Sequence, residues 1–171
     1  MINLRAIEPE DIDLIYQWEN DRSIWHLSNT IAPFSRYLIE QYILNSENDI
    51  YSEKQLRLMI DVSGSGTKRT IGSIDIFDFD PVNKRAGLGI FINADERKKG
   101  FAFKALLEVI EYSFSKLGLH QLYCNITEDN EASLKLFQKA GFEISGLKKE
   151  WVLCNENYFD EYILQLINNK K

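Results

Sequence analysis

The chain of 171 residues is 44% hydrophobic and 12% aromatic, which is enough for one domain with a real core and too short for two large ones. Its two cysteines, Cys124 and Cys154, form no C-x-x-C pair, which excludes a disulfide framework and fits a reducing cytoplasm. The net charge of −6 divides unevenly, because residues 1–83 hold 14 acids and 7 bases (−7) while residues 84–171 hold 12 and 13 (+1).

In chain order, Ile2, Leu4 and Ala6 alternate as a short strand before Glu8-Pro9. The opening MINLRAIEPEDID has no basic region followed by an apolar stretch, and no run approaches the roughly 18 apolar residues of a membrane span, so neither an export leader nor a membrane is expected. Pro9, Glu10 and Asp11 suit a first helical turn, and Ile12, Ile15, Tyr16 and Glu19 recur at helical spacing. Residues 20–34 read as a loop with a short turn of helix, and Ser35 to Leu44 as a second helix ending at Asn45-Ser46. Leu56, Leu58 and Ile60, then Ile71 to Phe77, flank Ser63-Gly64-Ser65-Gly66 as a hairpin. No helix follows that Gly-Ser-Gly, so it is not a phosphate loop. Asp80-Pro81-Val82-Asn83 turns the chain into the strand Ala86 to Ile92, where Gly87 and Gly89 predict a bulge or a close backbone approach. After the loop Asn93 to Glu96 the period changes. Ala102, Leu106, Val109, Ile110, Phe114 and Leu117 share a helical face from Gly100 to Gly118. Leu122, Cys124 and Ile126 alternate as a strand, Asn130 opens a helix closed by Gly141, and residues 142–144, 150–154 and 158–167 read as strands. The order is that of an α/β fold with a mixed sheet in a single domain, 1–171.

The segment Arg97-Lys98-Lys99-Gly100-Phe101-Ala102-Phe103-Lys104 puts four cations in eight residues where a strand feeds a helix. First-turn amides, the helix dipole and a glycine that lets the backbone approach closely make such a turn a pyrophosphate grip, with Arg and Lys completing the shell. A solvated charge run is the plainer alternative. G-x-G-x-x-G and Gly-Lys-Ser/Thr are both absent, which excludes a dinucleotide fingerprint and a Walker loop. One short cluster is too little for a nucleic-acid face. His26 and His120 stand alone, so no metal is expected, and Cys124 alternates with core residues as packing.

Arg97-x-x-Gly100-x-Ala102 resembles the Q/R-x-x-G-x-G/A acetyl-coenzyme A signature of the GNAT acyltransferases, and Asn130-x-x-Ser133-x-x-Leu136-Phe137-x-Lys139-x-Gly141-Phe142 resembles their second block. The opening Arg-x-Ile-Glu-Pro-Glu-Asp and Trp18-Glu19-Asn20-Asp21 are similar to the branch of ribosomal-protein N-terminal and spermidine acetyltransferases. The resemblance implies a GNAT-like acyl-CoA N-acyltransferase fold, with about seven strands in a mixed sheet and about four flanking helices. It also implies acetyl-CoA as co-substrate, held by backbone amides from Arg97 through Lys98, Lys99, Gly100 and Phe101 to Ala102. The Phe91-Ile92 edge would pair with the pantetheine, the Ile92 amide would face the thioester oxygen, and Asn130 would reach the pantetheine or act as an N-cap. The family position often held by tyrosine is Phe137, read as core and kept among the cofactor-facing residues. Ser133 is the next acid, or simply the third residue of its helix, with Tyr158 and Tyr123 further off. Gly87 stands where relatives often carry glutamate, so Asp75, Asp78, Glu19 and Asp21 are the substitutes for a base.

The implied activity is direct transfer of acetyl to a primary amine. The acidic first half would draw in a cation. Because Ser23 to Tyr37 holds no acid, where spermidine relatives are glutamate-rich, a peptide N-terminus ranks slightly above a polyamine. A homodimer is open, and a catalytically weak acyl-CoA-binding module is the alternative of a different class.

Overall fold

The computed structural model describes residues 1–28, 30–45, 49–64 and 66–169. Strands β1 (Ile2–Arg5), β2 (Leu56–Gly64), β3 (Thr67–Asp80), β4 (Arg85–Ile92), β5 (Gln121–Thr127), β6 (Glu143–Cys154) and β7 (Asn157–Ile167) form one sheet in the order β1-β2-β3-β4-β5-β7-β6. Neighbours are antiparallel except β4 and β5, which gives the expected mixed sheet. The helices are α1 (Ile12–Glu19), α2 (Trp25–Ser28), α3 (Arg36–Leu44), α4 (Ile50–Glu53), α5 (Phe101–Ser115) and α6 (Glu131–Lys139). Since α2 and α4 are single turns, four helices of eight residues or more remain among the described residues. None of the described helices is long and apolar enough to cross a membrane.

The sheet is covered on both faces, so β2 and β3 are buried without interruption at Met59–Val62 and Ile71–Ile74. Ile60, Ile74, Ile76 and Leu88 pack with Leu106 and Val109 of α5. Met59 points the other way, into Ile15 and Trp18 of α1 and Ile39 and Ile43 of α3, with Phe91 against them. Trp18 and Phe91 stack with ring centroids 5.2 Å apart. The loop from Asn20 to Phe34 is tied down by Asn20, whose Nδ2 donates to the carbonyls of Tyr16 and Phe34 and whose Oδ1 accepts from the Phe34 amide at 2.9 Å.

Several expectations need correction. The bulge predicted at Gly87 and Gly89 is not in β4, whose pairing with β3 is regular from Ile92 opposite Gly72 to Gly87 opposite Phe77. The irregularity lies on β3, between Phe77 and Asp80, where Asp78 takes φ +48°. Gly87 meets the second expectation, a close approach, since a Cβ there would lie 2.3 Å from Cε2 of Phe77. The strand pieces predicted at 142–144 and 150–154 are one strand, β6, bent by register shifts against β7. The unpredicted turn α4 is capped by Asp49, which accepts from the amides of Tyr51 and Ser52, and it ends on Lys54 in the left-handed region. Ser46, placed at a helix end, and Ser65, placed in the hairpin turn, lie outside the described residues.

Candidate functional site

Strands β4 and β5 pair over three positions only, Arg85 with Gln121, Ala86 with Leu122 and Gly87 with Tyr123. Beyond Gly87 the facing edge of β4 has no strand partner among the described residues. The Asn93 amide donates to the Ile71 carbonyl at 2.9 Å. Because peptide direction alternates along a strand, Phe91 and Gly89 also turn toward β3, while the peptide groups of Ile90 and Ile92 face the gap. Each arm of the splay then runs into a helix, β4 into α5 and β5 into α6. Both helix N-termini therefore stand at the carboxyl ends of a parallel pair, where open α/β sheets hold ligands.

The basic loop is built around the start of α5. Gly100 is its N-cap at φ +78°, a conformation that costs an L-residue about 1–2 kcal/mol. No side chain caps this helix, so its first amides, those of Phe101, Ala102 and Phe103, lack intrahelical acceptors. A Cβ added at Gly100 would meet nothing within 4 Å, so the turn faces open space. The cations are not all part of an anion shell. Arg97 Nε donates to the Ile92 carbonyl at 2.8 Å, and Lys99 pairs with Glu96 at 3.0 Å. Glu96 also accepts both arms of Arg69 from β3, and these partners pull its carboxyl down to about 2. Arg97 and Lys99 thus also hold the loop in shape. Phe101 and Ala102 pack their side chains on the core.

Asn130 is the N-cap of α6, and its Oδ1 accepts from the Ser133 amide at 3.2 Å. Ser133 is half-buried in the first turn of α6. Phe137 is 3% exposed, its ring edge-on to Phe142 at 5.1 Å. It packs in the core, as its place in the sequence pattern suggested. Tyr158 is 61% exposed on the β6–β7 hairpin, opposite Leu153 and outside the cavity described next. Cys124 is buried, and burial pushes its thiol up to about 12.

On the face under α1 and α3 lies a cavity of about 470 Å³. Arg57 of β2 stands in its wall and holds two carboxylates. Its Nε and Nη2 donate to Asp75 of β3 at 2.6 and 3.1 Å, and its Nη1 donates to Glu19 of α1 at 2.5 Å. Burial opposes the charge of this guanidinium, but Asp75 and Glu19 more than offset it and raise its pKa. Arg57 also lies over the ring of Tyr42, 5.7 Å from its centroid. Asp75 is directly opposite Gly89 and Phe77 opposite Gly87, so the cavity adjoins β4 where the splay begins. Phe77 covers Gly87, which explains why a glutamate has no room there. Asp78 is engaged elsewhere, accepting from the Tyr123 hydroxyl at 2.9 Å; burial and this bond push the phenol up to about 12. Asp21 accepts from the Ser23 amide and hydroxyl, which lower its pKa. His26 sits in α2 and His120 before β5, and no group of three metal-binding side chains occurs among the described residues.

Arg57, Tyr42 and Phe34 were not anticipated. An arginine on β2 and an aspartate on β3 were visible in the sequence, but their pairing depends on a register shift in the hairpin.

Residues 2–143 match a family model described as "Acetyltransferase (GNAT) domain". The chain is 26% identical over 169 residues to an uncharacterized N-acetyltransferase p20 of Bacillus licheniformis, covering 99% of this chain and 94% of that one. It is 26% identical over 170 residues to spermidine N(1)-acetyltransferase of Vibrio cholerae, covering 96% and 93%. The solved structure of spermidine N-acetyltransferase from Vibrio cholerae in complex with CoA and spermine superposes with a TM-score of 0.87 at 24% identity, over 99% of this chain and 96% of that one.

Proposed function

Because this chain belongs to the GNAT acetyltransferase family, we propose that it holds acetyl-coenzyme A in the β4–β5 splay and transfers acetyl directly to a primary amine in the Glu19–Arg57–Asp75 cavity. The observation that carries this is the junction itself. The unpaired edge of β4 and the uncapped start of α5 meet a carboxylate-bearing cavity one strand away, at Asp75 opposite Gly89.

The residues fit the coenzyme. The amides of Phe101, Ala102 and Phe103 offer donors to a pyrophosphate, and the open turn at Gly100 allows its approach. The gap-facing peptide groups of Ile90 and Ile92 suit an extended amide arm, except that the Ile92 carbonyl is already taken by Arg97. Asn130 and Ser133 line the opposite arm. When bound, acetyl-CoA supplies an activated thioester carbonyl, toward which an amide from this edge donates.

The protein's remaining task is proton handling, since an ammonium must lose a proton before it can attack. Asp75 is assigned as acceptor because it is the carboxylate nearer β4, and Arg57 keeps both of its oxygens oriented. Glu19 holds the incoming cation. The Ser133 hydroxyl is assigned as the hydrogen-bond donor to the departing thiolate, which ends as a thiol on the second proton that the acylated nitrogen sheds as the C–S bond breaks. A small amine ranks above a peptide N-terminus, because the cavity is of small-molecule size and roofed by α1 and α3, and the full-length relatives include enzymes named for spermidine.

The test is to incubate purified protein with acetyl-CoA and a panel of small amines, polyamines and short peptides, following thiol release and product mass. One acetylated amine per thiol released is expected. Thiol release without acetylated product, or no release across the panel, overturns the reading.

A further inference from the structure

We infer that, on this reading of the site, the acceptor is an amine with a single positive charge on an apolar, aromatic-sized body rather than a linear polyamine. The first argument is charge. Two carboxylates, Glu19 and Asp75, line the cavity, and Arg57 pairs with both, leaving one net negative charge. One ammonium balances it. A polyamine brings two or more further cations, and the lining offers no further carboxylate to pair with them.

The second argument is the wall. Phe34, Tyr42 and Phe77 present aromatic rings, and Ile15, Leu38 and Ile39 fill the space between them. Gln55 is the remaining polar lining residue. Nothing in that lining matches a second ammonium along a methylene chain, whereas an apolar body buries itself at about 25 cal/mol per Å². The backbone of Phe34 is held by Asn20 through two hydrogen bonds, which anchors this side of the wall.

The experiment compares kcat/KM for 2-phenylethylamine, n-butylamine and spermidine by thiol release at neutral pH. At least a tenfold preference for 2-phenylethylamine over spermidine is expected, with n-butylamine between them. Spermidine equal to or better than 2-phenylethylamine overturns the inference while leaving acetyl transfer intact. No product from these three amines overturns the inference, and no product across the wider panel of amines and peptides overturns acetyl transfer as well.

The variant R57L doubles the net charge of the cavity to two negatives, and R57K keeps the charge. The spermidine to 2-phenylethylamine ratio should rise at least tenfold in R57L and stay within about threefold of the parent in R57K. Both substrates are read on the same preparation, so the ratio is independent of the folded fraction. An unchanged ratio in R57L overturns the charge argument.

Discussion

Replacing Gly100 with alanine separates backbone conformation from steric bulk at the basic loop. A Cβ there meets no atom within 4 Å, so the protein itself does not clash with it. The cost comes from φ +78°, about 1–2 kcal/mol for an L-residue. For a chain of 171 residues, unfolding entropy makes that a fall in Tm of about 3–6 °C. If the residue instead relaxes to negative φ, the first amides of α5 turn away from the open face. Losing one or two charge-assisted hydrogen bonds of about 1.5–3 kcal/mol each weakens coenzyme A binding by a factor of about 10–100 or more. Scanning calorimetry gives the first quantity and titration calorimetry with coenzyme A the second. The account expects G100A to lose affinity at least tenfold. A variant that keeps its stability, as a relaxed turn would, and also keeps its affinity within twofold would refute the assignment of this helix start as the pyrophosphate site.

Other substitutions address the remaining roles. D75N should lower kcat by about 100-fold or more, with E19Q acting mainly on the acceptor KM; equal effects on kcat would remove the distinction between proton acceptor and cation holder. F137A should cost about 3–5 kcal/mol in denaturant unfolding while turnover per folded molecule persists, and a loss of turnover with unchanged stability would return Phe137 to the site. In the folded protein at pH 8, an alkylating reagent should modify Cys154 and spare Cys124, read by peptide mass, because the buried Cys124 thiol stays protonated to about 12. The same displacement above the unfolded value of 9 means that the unfolded chain binds fewer protons between pH 9 and 12, so stability falls as pH rises through that window; C124A should flatten the fall.

The two halves of the site differed in how far they were legible. The helix signals were local. Gly100, Asn130 and Ser35 sit at the caps where their residue types belong, and a strand entering a helix through a glycine turn carries its own physical reason. The Glu19–Arg57–Asp75 cluster depends on register. From Gly64 opposite Thr67 to Asp61 opposite Thr70 the β2–β3 hairpin pairs regularly, and one extra residue, Ile71, then shifts it so that Arg57 meets Asp75. Without that bulge Arg57 would face Ile74, and the two charges would point to opposite faces of the sheet. No local pattern marks the extra residue, since Ile71 is as good a strand former as its neighbours. The cations of the basic loop are a similar case. Arg97 and Lys99 look like ligand cations in a linear sequence, but their partners Ile92 and Glu96 are only a few residues back, reached by the turn of the loop.

The most direct measurement is a crystal structure of the protein with coenzyme A. The account predicts the pyrophosphate on the amides of Phe101 to Phe103, the pantetheine along the gap-facing edge of Ile90 and Ile92, and the thiol pointing toward Asp75. Coenzyme A bound elsewhere, with the β4–β5 gap filled by protein or left untouched, would contradict it.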